Sequence, residues 1–289
     1  MKVRIIVGII LALFAIGMLV CAGYGYEEVM AIPVVLLSAL CVHEVMGVSG
    51  CKNKILTGVM MVFSVLLGVY QCFDLKRYIP VSGTVLYAVY ILFILILMLK
   101  MYSVTRFEHV AIGVFASTAV PLALSSIVKT FHLLEEYPGI FRRSNCIFLM
   151  LMPMLCAWLC DTFALFIGRA MGKHKLAPNI SPNKSVEGAV AGVVGTTVTA
   201  LIIFFIFDRF FFGNDVIKWW MVLVFIPVCC VMGMCGDLAA SVIKRNYSVK
   251  DFGTLFPEHG GAMDRVDSFL FTMPTMYLTL KIILSVAIK

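Results

Sequence analysis

The chain has 289 residues, 62% of them hydrophobic and 13% charged, and 23 Lys and Arg against 16 Asp and Glu give a formal net charge of +7. A mean hydropathy of +1.02 excludes an ordinary soluble globular domain. The apolar residues come in runs long enough to cross a hydrocarbon layer, and the short alternating stretches of a membrane β-barrel are missing, so the predicted fold is all-α, a polytopic transmembrane helical bundle. The basic excess is spread over many loops, which suits an anionic lipid surface and does not call for nucleic acid as a partner.

The opening MKVRIIVGIILALFAIG has the basic start and apolar run of a secretory signal, but the run continues to Val20 without a small-residue cleavage pattern and reads as the first helix. Windows of roughly 20 residues place helices near 5–22, 29–47, 54–73, 84–101, 109–129, 145–168, 189–207, 216–235 and 268–288. That makes about nine spans, taken as one integral membrane domain over 1–289. Most of the ten cysteines fall inside these runs, as at Cys156, Cys160, Cys229 and Cys230, and read as packing residues rather than metal ligands. His43 and Glu44, near the end of the second run, read as interfacial, and Trp219 and Trp220 as interface anchors.

Lys and Arg set the expected topology. With the N-terminus inside, the inner segments hold Lys2, Arg4, Lys52, Lys54, Lys100, Arg106, Arg169, Lys173, Lys175, Lys184, Lys244, Arg245, Lys250 and Arg265, and the outer ones hold fewer. The two longest polar segments, 169–188 and 236–267, then share the cytoplasmic side.

Chemistry concentrates in GDLAASVIKRNYSVKDFGTLFPEHGGAMDRVDS, from Gly236 to Ser268. If this segment is helical from Asp237, then Asp237, Ser241, Lys244 and Arg245 lie on one face, and Asp264 and Asp267 share another at the start of the last helix. Carboxylates in such pairs can offer hard oxygens to Mg²⁺, and Lys244, Arg245, Lys250 and Arg265 can offset the charge of a polyphosphate. The turn His259-Gly260-Gly261 offers backbone N–H groups where a phosphate can approach closely. Asp161 sits in an otherwise apolar run, where an acid is costly; catalysis and pairing with a basic residue are equally open for it.

The stretch SVIKRNYSVKDFGTLFPEHGGAMDRVD closely resembles the hallmark of the phosphatidate cytidylyltransferases, or CDP-diacylglycerol synthases: S-x-x-K-R, four residues, K-D, then H-G-G and D-R-x-D. Upstream, CDTFALFIGRAMGKHKLAPNISPNKSVEG is similar to a second segment of that family. Leu165, Ser185 and Val186 stand there in place of the usual Tyr, Thr and Trp. The resemblance implies a bacterial inner-membrane, multi-pass enzyme with its active site facing the cytoplasm. Its substrates would be CTP and phosphatidate, its products CDP-diacylglycerol and pyrophosphate, and its cofactor Mg²⁺, with or without a monovalent cation. Membrane lipid is then a partner, and a homodimer is compatible with this reading. The family's metal-binding aspartates fall on Asp237 and Asp264, with a softer assignment for Asp267. Catalytic roles fall on Asp237, Lys244, Arg245, Lys250, Asp251, His259, Asp264 and Arg265. Substrate-binding roles fall on Asp161, Ser181, Lys184, Glu187, Ser241, Gly260 and Gly261. One rival reading is a CTP-dependent polyprenol kinase, which would use the same nucleotide in the same setting but transfer its terminal phosphate; the other, a transporter, is disfavoured by the dense acid–base segment before the last span.

Overall fold

The computed structural model describes residue 13 and residues 16–79, 81–213, 216–256 and 260–287. The chain is nearly all-helical, as expected. Its helices are α1 (Ala31–Val48), α2 (Lys54–Cys72), α3 (Gly83–Lys100), α4 (Phe107–Glu136), α5 (Arg143–Met171), α6 (Val186–Phe207), α7 (Trp219–Asn246), the single turn α8 (Met263–Val266) and α9 (Phe269–Ala287). Among the described residues, eight helices are long and apolar enough to cross a membrane, so this is a multi-pass membrane protein. They correspond to the second through ninth expected spans. The first, near 5–22, lies mostly outside the described residues.

Two helices run further than hydropathy indicates. α4 continues past Lys129 to Glu136, and α7 past Asp237 to Asn246. A charge ends an apolar window without ending a helix, because the backbone ladder is indifferent to side-chain polarity; the chain turns where local conformation demands it. After α4 come Pro138 and then Gly139 at φ 79°, and after α7 comes Ser248 at φ 54°. A small antiparallel hairpin, β1 (Lys175–Ala177) and β2 (Ser181–Ser185), was not expected. It pairs Lys175 with Ser185 and Ala177 with Ser181 across an irregular register. Pro182 lacks an N–H to give a longer ladder.

Two compact units can be distinguished, Met1–Ser125 with Asn246–Val266, and Ser126–Arg245 with Asp267–Lys289. In the first, Met46, Leu56 and Met60 are fully buried, and Phe63 stacks on Tyr90 with ring centroids 3.5 Å apart. Asn53 opens α2: its Oδ1 accepts from the N–H groups of Ile55 and Leu56 at 3.1 and 3.2 Å, and its amide donates to Thr105 Oγ1 at 2.9 Å. That satisfies two of the orphan donors of the helix start.

The second unit is built on Phe148, which meets Phe204, Phe207 and Phe212 with centroids 6.0, 5.4 and 5.3 Å apart. Its α5 and α6 approach backbone to backbone. A β-carbon on Gly188 would stand 2.6 Å from the carbonyl oxygen of Ala164, and one on Gly192 would stand 2.8 Å from that of Cys160. Between spanning helices association rests on such van der Waals fit, since lipid is as apolar as the helices themselves. This contact decides where Asp161 on α5 sits relative to the residues that lead into α6.

Gly192→Ala forces a methyl against backbone that cannot move aside, and should destabilise the protein by about 1–3 kcal/mol. Gly58→Ala in α2 meets nothing within 4 Å and should be neutral or slightly stabilising through helix propensity. Thermal unfolding of the two purified variants in detergent checks the contrast: a lowered midpoint for the first only.

Candidate functional site

In the second unit four segments converge. Ser185 opens α6, its Oγ accepting from the Gly188 N–H at 3.2 Å, and this cap fixes the direction of the residue before it, Lys184. The Lys184 ammonium forms an ion pair with Asp237 of α7, and the two side chains are only 23% and 25% exposed. Asp161 of α5 lies within electrostatic reach of both Asp237 and Lys184. Asp267, which leads into α9, lies within reach of Asp237, Lys244 and Asp161. Gly236 makes that last approach possible: a β-carbon there would stand 2.6 Å from the Asp267 carbonyl oxygen. Three carboxylates thus interact with two ammonium groups, those of Lys184 and Lys244.

The hairpin next to this cluster is held from within. Glu187 accepts from the N–H groups of Lys173 and His174 at 3.1 and 3.2 Å, and its Oε1 lies 2.6 Å from His174 Nδ1. Lys175 donates to the Pro182 carbonyl at 2.7 Å. Arg245, at the end of α7, donates to the Ile180 carbonyl at 3.4 Å. Ser181 and Ser241 are half-buried. As expected, Asp237, Ser241, Lys244 and Arg245 all lie on one continuous helix.

In the first unit, the signature loop closes on Asp264, whose Oδ2 accepts from the N–H groups of Phe252 and Gly261 at 2.8 and 2.9 Å. The Phe256 N–H donates to the Gly260 carbonyl at 2.9 Å. Gly260 has φ +83°, and a β-carbon there would stand 2.9 Å from Asp264 Oδ2, so conformation and space both call for glycine. Lys250, Asp251 and Arg265 are exposed. His259 lies outside the described residues.

Glu44 of α1, read from sequence as interfacial, grips this loop. Its Oε1 and Oε2 accept from the N–H groups of Ala262 and Met263, both at 2.8 Å. The one signal available in the sequence was an acid late in an apolar run, where an ionisable group needs a partner.

Among the described residues, no three His, Cys, Asp or Glu side chains gather closely enough to hold a metal by themselves. The excess of carboxylates over ammonium groups around Asp237 fits a divalent cation there.

The description "Cytidylyltransferase family" matches residues 2–283. The chain belongs to that family. Its cytidylyltransferase relatives include proteins named phosphatidate cytidylyltransferase from Staphylococcus haemolyticus, 39% identical over 138 residues, and Staphylococcus saprophyticus, 41% identical over 138 residues. A third, from Staphylococcus aureus strain COL, is 39% identical over the same length. Each match covers 48% of this chain and 51% of the relative. The chain thus spans about half the length of the curated relatives it matches.

If Lys184 and Asp237 neutralise one another, Lys184→Met should lower the unfolding midpoint by leaving an uncompensated acid, and adding Asp237→Asn should recover part of the loss. A double-mutant cycle on thermal stability in detergent is expected to give a coupling of about 0.5–3 kcal/mol. Simple additivity would mean that the pair contributes nothing.

Proposed function

We propose that this chain transfers the cytidylyl group of CTP to phosphatidate, forming CDP-diacylglycerol and pyrophosphate. The observation that carries the reading is the meeting of Asp161, Asp237 and Asp267 with Lys184 and Lys244 in a chain of the cytidylyltransferase family. The names of its relatives supply the acceptor, and neither they nor the family favour the polyprenol kinase.

In the proposed reaction a phosphate oxygen of phosphatidate attacks the α-phosphorus of CTP in line. The new P–O bond forms as the bond to the β-phosphate breaks, and pyrophosphate leaves with the electron pair. The attacking phosphate is already ionised near neutral pH, so no protein nucleophile is needed, and rate comes from positioning and charge stabilisation. Asp237 and Asp264 are the proposed Mg²⁺ ligands, with Asp267 in support. When bound, the ion would neutralise charge on the triphosphate. Lys184 would exchange its partner Asp237 for a substrate phosphate, while Lys244, Arg245, Lys250 and Arg265 would offset the charge of the leaving pyrophosphate. Asp251 is proposed to act with these catalytic residues; Asp161, Ser181, Glu187, Ser241, Gly260 and Gly261 complete the proposed substrate contacts, and His259 is assigned a phosphate-contacting role.

CTP labelled at the α-phosphorus is expected to give a labelled, chloroform-soluble product with phosphatidate, and γ-labelled CTP is not. Asp237→Asn and Asp264→Asn should each abolish that product while the protein still inserts, because too little charge remains to hold Mg²⁺ against water. Label arriving only from the γ position, on a polyprenol and not on phosphatidate, would establish the kinase instead.

The site is further proposed to face the cytoplasm of a bacterial inner membrane, on the strength of the Lys and Arg bias of segments 169–188 and 236–267. In a cysteine-depleted background, cysteines placed at Asn183 and Ser248 should react with an impermeant maleimide only after the membrane is permeabilised. Labelling in intact cells would reverse the orientation.

A further inference from the structure

We propose that Glu44 is a positioning residue for the signature loop, fixing the backbone of Gly261–Met263 and with it the Asp264 carboxylate. Glu44 stands on α1, 218 and 219 residues away in sequence from the two groups whose N–H donors it accepts. One oxygen takes Ala262 and the other takes Met263, each at 2.8 Å, so the plane of the carboxylate and the direction of the backbone define one another. Hydrogen bonds to an ionised acceptor are roughly twice as strong as neutral ones.

The loop is shaped to receive this side chain. A β-carbon on Gly253 would stand 2.5 Å from Glu44 Oε1, and one on Gly261 would stand 2.6 Å from the same oxygen. A side chain at either position would therefore push the Glu44 carboxylate out of its place. Gly261 is gripped from the other direction too, since its own N–H donates to Asp264 Oδ2 at 2.9 Å, and the Phe252 N–H donates to the same oxygen at 2.8 Å. Two carboxylates thus hold one short stretch: Glu44 fixes 262 and 263, and Asp264 ties 252 to 261. Of these two anchors Glu44 is the one that reaches the stretch from far away in sequence, on the spanning helix α1. An interfacial acid would need none of this, because water or lipid headgroups would satisfy it.

The effect on turnover rests on the reading of Asp264 as a metal ligand; the effect on the loop does not. Glu44→Gln keeps the shape but turns an amide N–H₂ toward one of the two donors. In the purified full-length protein in nanodiscs, hydrogen–deuterium exchange should show faster uptake across 252–264 for Glu44→Gln, with uptake across 31–48 unchanged. Gly253→Ala, which crowds the same carboxylate from the loop and leaves Glu44 intact, should reproduce the local rise. It decides the matter should Glu44→Gln loosen the whole protein. With CTP and phosphatidate, Glu44→Gln should raise the Mg²⁺ concentration for half-maximal rate by about 10–100-fold and leave KM for phosphatidate unchanged. Unchanged uptake in both variants would overturn the proposal. A local rise in uptake without any change in Mg²⁺ dependence would overturn its link to Asp264. Wild-type protein inert toward CTP and phosphatidate would remove the functional reading, while the uptake comparison would still decide the role of Glu44.

Discussion

A partly buried ionised side chain is costly unless something of opposite charge meets it, and the pairing of Lys184 with Asp237 is where this chain meets that condition. Removing one partner of such a half-buried pair leaves a charge that the packed side chains around it solvate poorly. The neighbouring contacts follow from the need to bring the two groups together. α6 must start beside α5, which its glycines permit through approaches closed to larger residues, and Ser185 must cap α6 so that Lys184 points off its first turn. α7 must pass close to the lead of α9, which Gly236 permits. Small residues here act through what they leave out.

The same cluster holds more acid than base. Asp161 and Asp267 add two carboxylates to the paired Asp237, against Lys184 and Lys244. A purely structural network tends toward neutrality, because each uncompensated charge is destabilising. A surplus of carboxylates is instead what a site carries when cations are to arrive with the substrate. On the proposed reading a polyphosphate would bring a divalent ion, and each lysine would gain a phosphate as the acids gained the metal. The ion pair is on this view a resting arrangement, able to open because both of its members exchange one charged partner for another.

Much of this was readable from the sequence. Each of the eight spanning helices overlaps a hydropathy window, since a hydrocarbon layer imposes a length on every span. Where the windows stopped short, at 129 and 235, a charge stood at or just past the end, Lys129 and Asp237, and the helices continued to the turns that end them. The face shared by Asp237, Ser241, Lys244 and Arg245 followed from helical spacing alone. The hairpin was not legible, because strands of three and five residues broken by Pro182 carry no period to detect. Nor was the pairing of Lys184 with Asp237, as spacing describes neighbours along one element and says nothing of residues that meet across two.

Glu44 shows the same limit more sharply. By composition it differs little from Asp161: each is a lone acid in an apolar run. In the structure they do opposite things. Asp161 faces other charged side chains, an environment that a cation or a substrate can enter and rearrange. Glu44 is bound to backbone through both oxygens, and backbone donors have no alternative conformation that preserves the loop. An acid among side chains is free to exchange partners, whereas an acid engaged by two peptide N–H groups is part of the scaffold. The type of donor, which a sequence does not display, separates the residue suited to chemistry from the residue suited to hold chemistry in place.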